Sequence, residues 1–155
     1  MSNDQFTRII VRASTSALAP DAWALITDWP AQSRWIPFTR VTLDSASGGV
    51  GARFTGRTRV GPIRFDDPME VTQWQPPGKN ERGYCRVQKF GPWILGTAEI
   101  EVIPGRAGSE PTTLVWKESV RLRGVSPVFS PLNRAFGGIL FRAALRKAVR
   151  ELETG

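Results

Sequence analysis

The chain has 155 residues, 41% of them hydrophobic and 10% aromatic, with 21 Lys and Arg against 14 Asp and Glu and a formal net charge of +7. That length and apolar content suit one domain spanning residues 1–155 and exclude a disordered chain. Histidine is absent, which excludes imidazole acid/base catalysis, Ser-His and Cys-His nucleophile pairs and most transition-metal sites, so no metal centre or cofactor is expected.

A single cysteine, Cys85, excludes an internal disulfide and a cysteine-rich zinc site, and it points to a reducing, cytoplasmic setting. The first thirty residues carry Asp4, Asp21 and Asp28 without an unbroken apolar run. Neither a signal peptide nor a spanning helix is expected there.

In chain order, the β-branched stretch Thr7–Thr15 reads as a first strand. Residues 19–28 read as a helix with Pro20 in its first turn, and 29–37 hold a second short helix between prolines. From 39 to 123 the chain reads as strand after strand, at 40–43, 52–60, 63–75, 82–89, 95–103 and 114–122. Glycine and proline separate them, the pattern of an antiparallel meander. The glycine loop at 47–51 lacks the lysine of a phosphate-binding loop and leads into no helix, so it reads as a strand connection.

The chain ends differently. Ser130 suits an N-cap, Pro131 a first helical position, and 131–152 shows helical spacing. Leu132, Phe136, Ile139, Leu140 and Ala143 share one face, and Phe141, Leu145, Ala148 and Leu152 another. An apolar surface that wide suggests a helix pressed between a curved sheet and other elements.

Strand, two short helices, six strands and a long terminal helix: this order resembles the helix-grip fold of the START-like (SRPBCC) superfamily, which includes polyketide cyclases and birch-pollen-allergen proteins. The local carriers are Trp23 to Asp28 followed by Ser33-Arg34-Trp35-Ile36-Pro37, the glycine loop, Phe65 to Thr72 running into Gln75-Pro76-Pro77-Gly78, and the terminal helix. The resemblance implies an α+β fold in which a curved antiparallel sheet of about seven strands wraps the long helix. A cavity for a hydrophobic ligand is implied between them.

Within 114–122, Leu114, Trp116, Glu118, Val120 and Leu122 share one strand face, and Glu118 is the charged member of that apolar parity. Asp67 repeats the oddity among Ile63, Phe65, Met69 and Val71. Each carboxylate reads either as a polar anchor in a mostly apolar pocket or as structural. In the structural reading Glu118 pairs with an arginine at the cavity mouth, and Asp67-Pro68 begins a bulge. Phe54, Phe65, Met69, Trp116, Phe136 and Leu140 are the expected lining, with Trp35 and Trp93 as candidates at the mouth.

Cys85 shares a parity with Gly83 and Val87 and reads as a small buried hydrophobe. Arg53, Arg57, Arg59, Lys117 and Arg121 fall on outward parities and read as a solvated basic face. No aromatic interleaving supports base stacking, which argues against nucleic acid while leaving room for peripheral membrane contact.

The first functional reading is therefore binding of a lipid-like or aromatic, polyketide-like small molecule. The alternative is a cyclase or aromatase-like enzyme in which Asp67 or Glu118 moves protons. Nucleic-acid or membrane-surface binding through the basic face is the third.

Overall fold

A computed structural model describes residues 6–45, 48–106, 109–124 and 130–154, with the backbone alone of Ser130 and Asn133. Strand β1, Thr7–Thr15, alternates buried Thr7, Ile9 and Val11 with exposed Arg8, Ile10 and Arg12, the one-sided pattern of a strand over a core. Helix α1, Ala19–Ile26, follows with Pro20 in its first turn. It closes two residues earlier than expected, where the Thr27 hydroxyl donates to the Trp23 carbonyl at 2.6 Å. The second short helix is a 3-10 helix, Trp29–Arg34, begun by Pro30.

Six strands then meander: β2 Thr39–Leu43, β3 Arg53–Val60, β4 Ile63–Gln75, β5 Gly83–Phe90, β6 Ile94–Ile103 and β7 Thr112–Leu122. All pairings are antiparallel, and β1 closes the series beside β7, giving the order β1-β7-β6-β5-β4-β3-β2. The sheet is curled, with α2, Ser130–Thr154, as its C-terminal helix. This is the helix-grip arrangement the order of elements suggests. The capping contact expected of Ser130, and Ser47 of the glycine loop, lie outside the described residues.

No bulge forms at Asp67-Pro68. The β3–β4 register runs unbroken from Arg53↔Glu70 to Val60↔Ile63, with Pro68 opposite Thr55. On the other side the β5 ladder begins only at Met69, so the missing N–H of Pro68 costs no bond there. The register shift of β4 falls instead between Val71 and Gln73. Asp67 therefore keeps the inward parity of Met69 and Val71.

Helix α2 packs on β1 and α1 through Phe141, Ala144, Leu145, Ala148, Val149 and Leu152. The other apolar face of its first half is not pressed between elements as expected. Leu132, Phe136 and Ile139 are 66%, 69% and 68% exposed, because the helix leans on the β1 edge rather than lying centred in the sheet.

Helix α2 approaches β1 so closely at Gly137 that an added Cβ would lie 2.5 Å from Ile9 Cδ1, whereas one added at Gly138 would meet nothing within 4 Å. Glycine inside a helix costs about 1 kcal/mol relative to alanine. Gly138→Ala should therefore raise the unfolding free energy in urea by about 1 kcal/mol. Gly137→Ala should gain less or lose stability, since Ile9 must move. Equal gains at both positions would contradict this packing of α2 on β1.

Candidate functional site

The concave face of the sheet and α2 enclose a cavity of about 520 Å³. Its wall is mostly carbon: Trp29 from the 3-10 helix, Phe54 from β3, Phe65 and Met69 from β4, Trp116 from β7, and Phe141 from α2. Trp29 stacks on Phe54 with ring centroids 4.3 Å apart and planes 5° apart, and Trp116 meets Phe141 at 5.3 Å. These contacts hold aromatic rings from separate elements as one wall. Exposed Phe38, Val60 and Phe136 line it toward solvent.

Three charged side chains interrupt that wall. Asp67 on β4, Lys89 on β5 and Glu118 on β7 are each buried and line the cavity. Lys89 Nζ donates to Asp67 Oδ2 at 2.7 Å and to Met69 Sδ at 3.3 Å, and it lies 3.8 Å from Glu118 Oε2. The Trp116 indole N–H donates to Glu118 Oε1 at 2.9 Å. Asp67 Oδ1 is buried without a hydrogen-bond partner among the described residues.

Sheet register explains how charges on β5 and β7 meet across β6. Lys89 lies beside Gly96, and Glu118 beside Ala98. Both β6 neighbours are small, so little side-chain volume separates the ammonium from the carboxylate.

Burial works against the Lys89 charge, but Glu118 and then Asp67 more than offset it and hold the lysine pKa above its ordinary value. Glu118 is pushed upward, chiefly by burial and further by Asp67, against the opposing pull of Lys89 and the Trp116 hydrogen bond. Lys89 is thus a held cation and Glu118 a carboxyl that keeps a proton above its usual range. Chemically, the cluster can orient a polar group on an apolar guest, or hold and release a proton beside it.

Comparison with known proteins decides the family. Residues 8–154 match the family described as polyketide cyclase / dehydrase and lipid transport. The chain belongs to that family. No curated protein sequence matches it.

Among solved structures, the Zhui aromatase/cyclase of a Streptomyces species aligns with a TM-score of 0.69 and 15% identity, over 96% of this chain and 94% of that one. A STAR-related lipid transfer protein fragment from Xanthomonas axonopodis gives a TM-score of 0.73 and 13% identity, over 99% and 89%. A START superfamily protein from Mycobacterium smegmatis gives 0.68 and 15%, over 95% and 97%. At these identities the likeness shows the START-like (SRPBCC) fold.

Within this START-like frame, the cavity brings together Asp67, Glu118, Phe54, Phe65, Met69, Trp116, Phe136 and Leu140. Trp35 and Trp93 are not among its lining residues. The Trp35 indole N–H donates to Glu151 Oε2 at 2.7 Å, so this buried ring ties the 3-10 helix to α2, and Trp29 faces the cavity from that helix instead. Trp93 is half-exposed in the β5–β6 turn, and its neighbour Ile94 supplies the lining.

The partner of Glu118 is Lys89 rather than an arginine at the mouth. Sequence reasoning missed Lys89, although its parity with Gly83, Cys85 and Val87 was the available signal. Cys85 is fully buried as expected, with its thiol pKa pushed up to about 12 by that burial. Among the described residues no cluster of His, Cys, Asp and Glu could hold a metal, and no helix is long and apolar enough to cross a membrane.

The cluster generates a paired prediction. Lys89→Met strands two buried carboxylates and should cost about 3–5 kcal/mol in urea unfolding at neutral pH, less in acid where Glu118 takes a proton. Glu118→Gln should behave otherwise. Because the folded-state pKa of Glu118 is raised, its contribution to stability is complete below 4.5 and is lost as pH rises through the folded value. The glutamine variant should therefore gain on wild type as pH rises from the acid range. A variant advantage that shrinks with rising pH would contradict the raised pKa.

Proposed function

We propose that the chain binds a hydrophobic small molecule, lipid-like or aromatic, in the cavity between sheet and α2. The observation that carries this reading is a carbon-lined cavity of about 520 Å³ holding a single cluster of charge. Ligand sites of this size commonly combine apolar walls with a few placed polar groups. A solid core of the same residues would leave no such space.

Asp67 Oδ1, which has no hydrogen-bond partner among the described residues, supports the same view. A buried acceptor without a donor is costly, and a guest carrying a hydroxyl or amine, or a water accompanying it, reduces that cost. Exposed Phe38, Val60 and Phe136 give the guest an apolar entrance. The family description, which includes lipid transport, agrees with a carrier. A single START-like domain in a cytoplasmic setting is the accompanying reading.

A second reading, a cyclase or dehydratase-like enzyme, is favoured by one observation: Glu118 is a proton-retaining carboxyl in the cavity wall, 3.8 Å from an ammonium. It would give its proton to a departing hydroxyl, which leaves as water, and in its ionised form take one from an acidic carbon of a polyketide-like substrate. This reading requires turnover that Glu118→Gln lowers by about a hundredfold or more with binding retained.

Binding itself is tested by filling the cavity. Gly56 lines it from β3, and an added Cβ would reach Met69 Cε at 3.6 Å, an ordinary contact. Gly56→Val should fold normally and project its methyls into the cavity. Nile red, followed by fluorescence, should bind the wild type with one-to-one stoichiometry and the variant at least about tenfold more weakly, a loss of about 1.4 kcal/mol. Equal binding by both, or none by the wild type, would contradict a ligand cavity at this place.

A further inference from the structure

A second concavity lies outside the cavity wall, at the free edge of the sheet. Arg12, Ala13 and Ser14 of β1 and Arg142, Arg146, Val149 and Arg150 of α2 line a groove of about 450 Å³. Strand β1 ends the strand order, so among the described residues its outer side pairs with no other strand. The four arginines are exposed, and none of their guanidinium groups has a hydrogen-bond or carboxylate partner among the described residues.

The absence of internal counter-ions follows from where the acids of α2 point. Glu151 turns to Arg34 and Trp35, which pull its pKa below the ordinary carboxylate range. Glu153 accepts the Ser16 backbone N–H at 3.1 Å. Neither lines the groove. Arg142, Arg146 and Arg150 recur every four residues and form one stripe, an arrangement whose like-charge repulsion disfavours the helix by a few tenths of a kcal/mol per pair.

One charged residue on an edge strand is explained by protection of that edge from pairing. Three more from a helix, converging on the same groove beside a serine hydroxyl, are not. Guanidinium forks match oxyanions in two-point hydrogen bonds, and a polyanion relieves their mutual repulsion.

We propose that this groove binds a phosphate-bearing ligand, seated among Arg12, Arg142, Arg146 and Arg150 with the Ser14 hydroxyl as a further donor. The site is independent of the hydrophobic cavity. Its chemistry serves a soluble phosphate compound and a phospholipid headgroup alike.

The test is an amide-resolved NMR titration of the whole chain with inorganic pyrophosphate at low ionic strength. Alongside it, co-flotation is measured with phosphatidylcholine vesicles with and without phosphatidic acid. Saturable shifts centred on 12–14 and 142–150 are expected, weakening as salt is added.

Replacing Arg142 and Arg146 together by glutamine should weaken pyrophosphate binding at least about tenfold, leaving Nile red binding unchanged and the melting temperature unchanged or slightly raised. The control pair Arg53→Gln and Arg57→Gln should have little effect. Pyrophosphate binding without flotation supports the site with a soluble phosphate as its ligand. Flotation that needs phosphatidic acid and the groove arginines supports it with a headgroup. Binding of neither probe, or binding weakened equally by the groove pair and the control pair, overturns it and leaves the arginines as edge protection.

Discussion

An ammonium held between two carboxylates in an apolar wall is the constraint on which the rest of the structure depends. Lys89, Asp67 and Glu118 come from three strands, and they meet only because the sheet curls and because β6 offers Gly96 and Ala98 between β5 and β7. Buried ions of this kind are weak contributors to net stability, yet removing one member is expensive because the others are left uncompensated. The cluster therefore ties β4, β5 and β7 to one register and curvature. A slip of one residue in any of them would point its charge at solvent and an outward-facing residue at the cavity.

The same constraint shapes the cavity. Aromatic contacts between Trp29 and Phe54, and between Trp116 and Phe141, hold the apolar wall open around the charges. Trp116 does both jobs, since its ring packs on α2 while its indole N–H fixes Glu118. Lys89 and Asp67 form the short pair, and Glu118 lies 3.8 Å from the same ammonium on its other side. A carrier needs only the polarity of that arrangement, whereas an enzyme also needs the mobile proton. The family holds both activities in its description, so the two readings differ in the use of one side chain rather than in the fold.

Strand parity made much of this legible. In 114–122 and 63–71 a lone carboxylate among alternating apolar residues marked Glu118 and Asp67 as inward, and both line the cavity. Lys89 escaped because it stands at the end of its strand, and because a lysine there ordinarily extends its ammonium to water. Only the position of two carboxylates on other strands makes its burial favourable, and that is a tertiary fact. Trp35 and Trp93 lie at a helix end and in a turn, where no periodicity sets side-chain direction. The first half of α2 misled for a related reason: an apolar stripe shows that a face is greasy, not that a neighbour covers it.

The most direct test of the central cluster is the titration of Lys89 itself, followed by NMR at its Cε and Nζ with selectively labelled lysine and a Lys89→Met reference for assignment. Two carboxylates around a buried ammonium predict that Lys89 keeps its proton beyond 10.5, the ordinary lysine value. Stability drawn from this charge should then persist through neutral pH and be lost only as pH rises through the elevated folded value. Deprotonation of Lys89 below 10.5 would contradict the account, because burial would then outweigh Asp67 and Glu118.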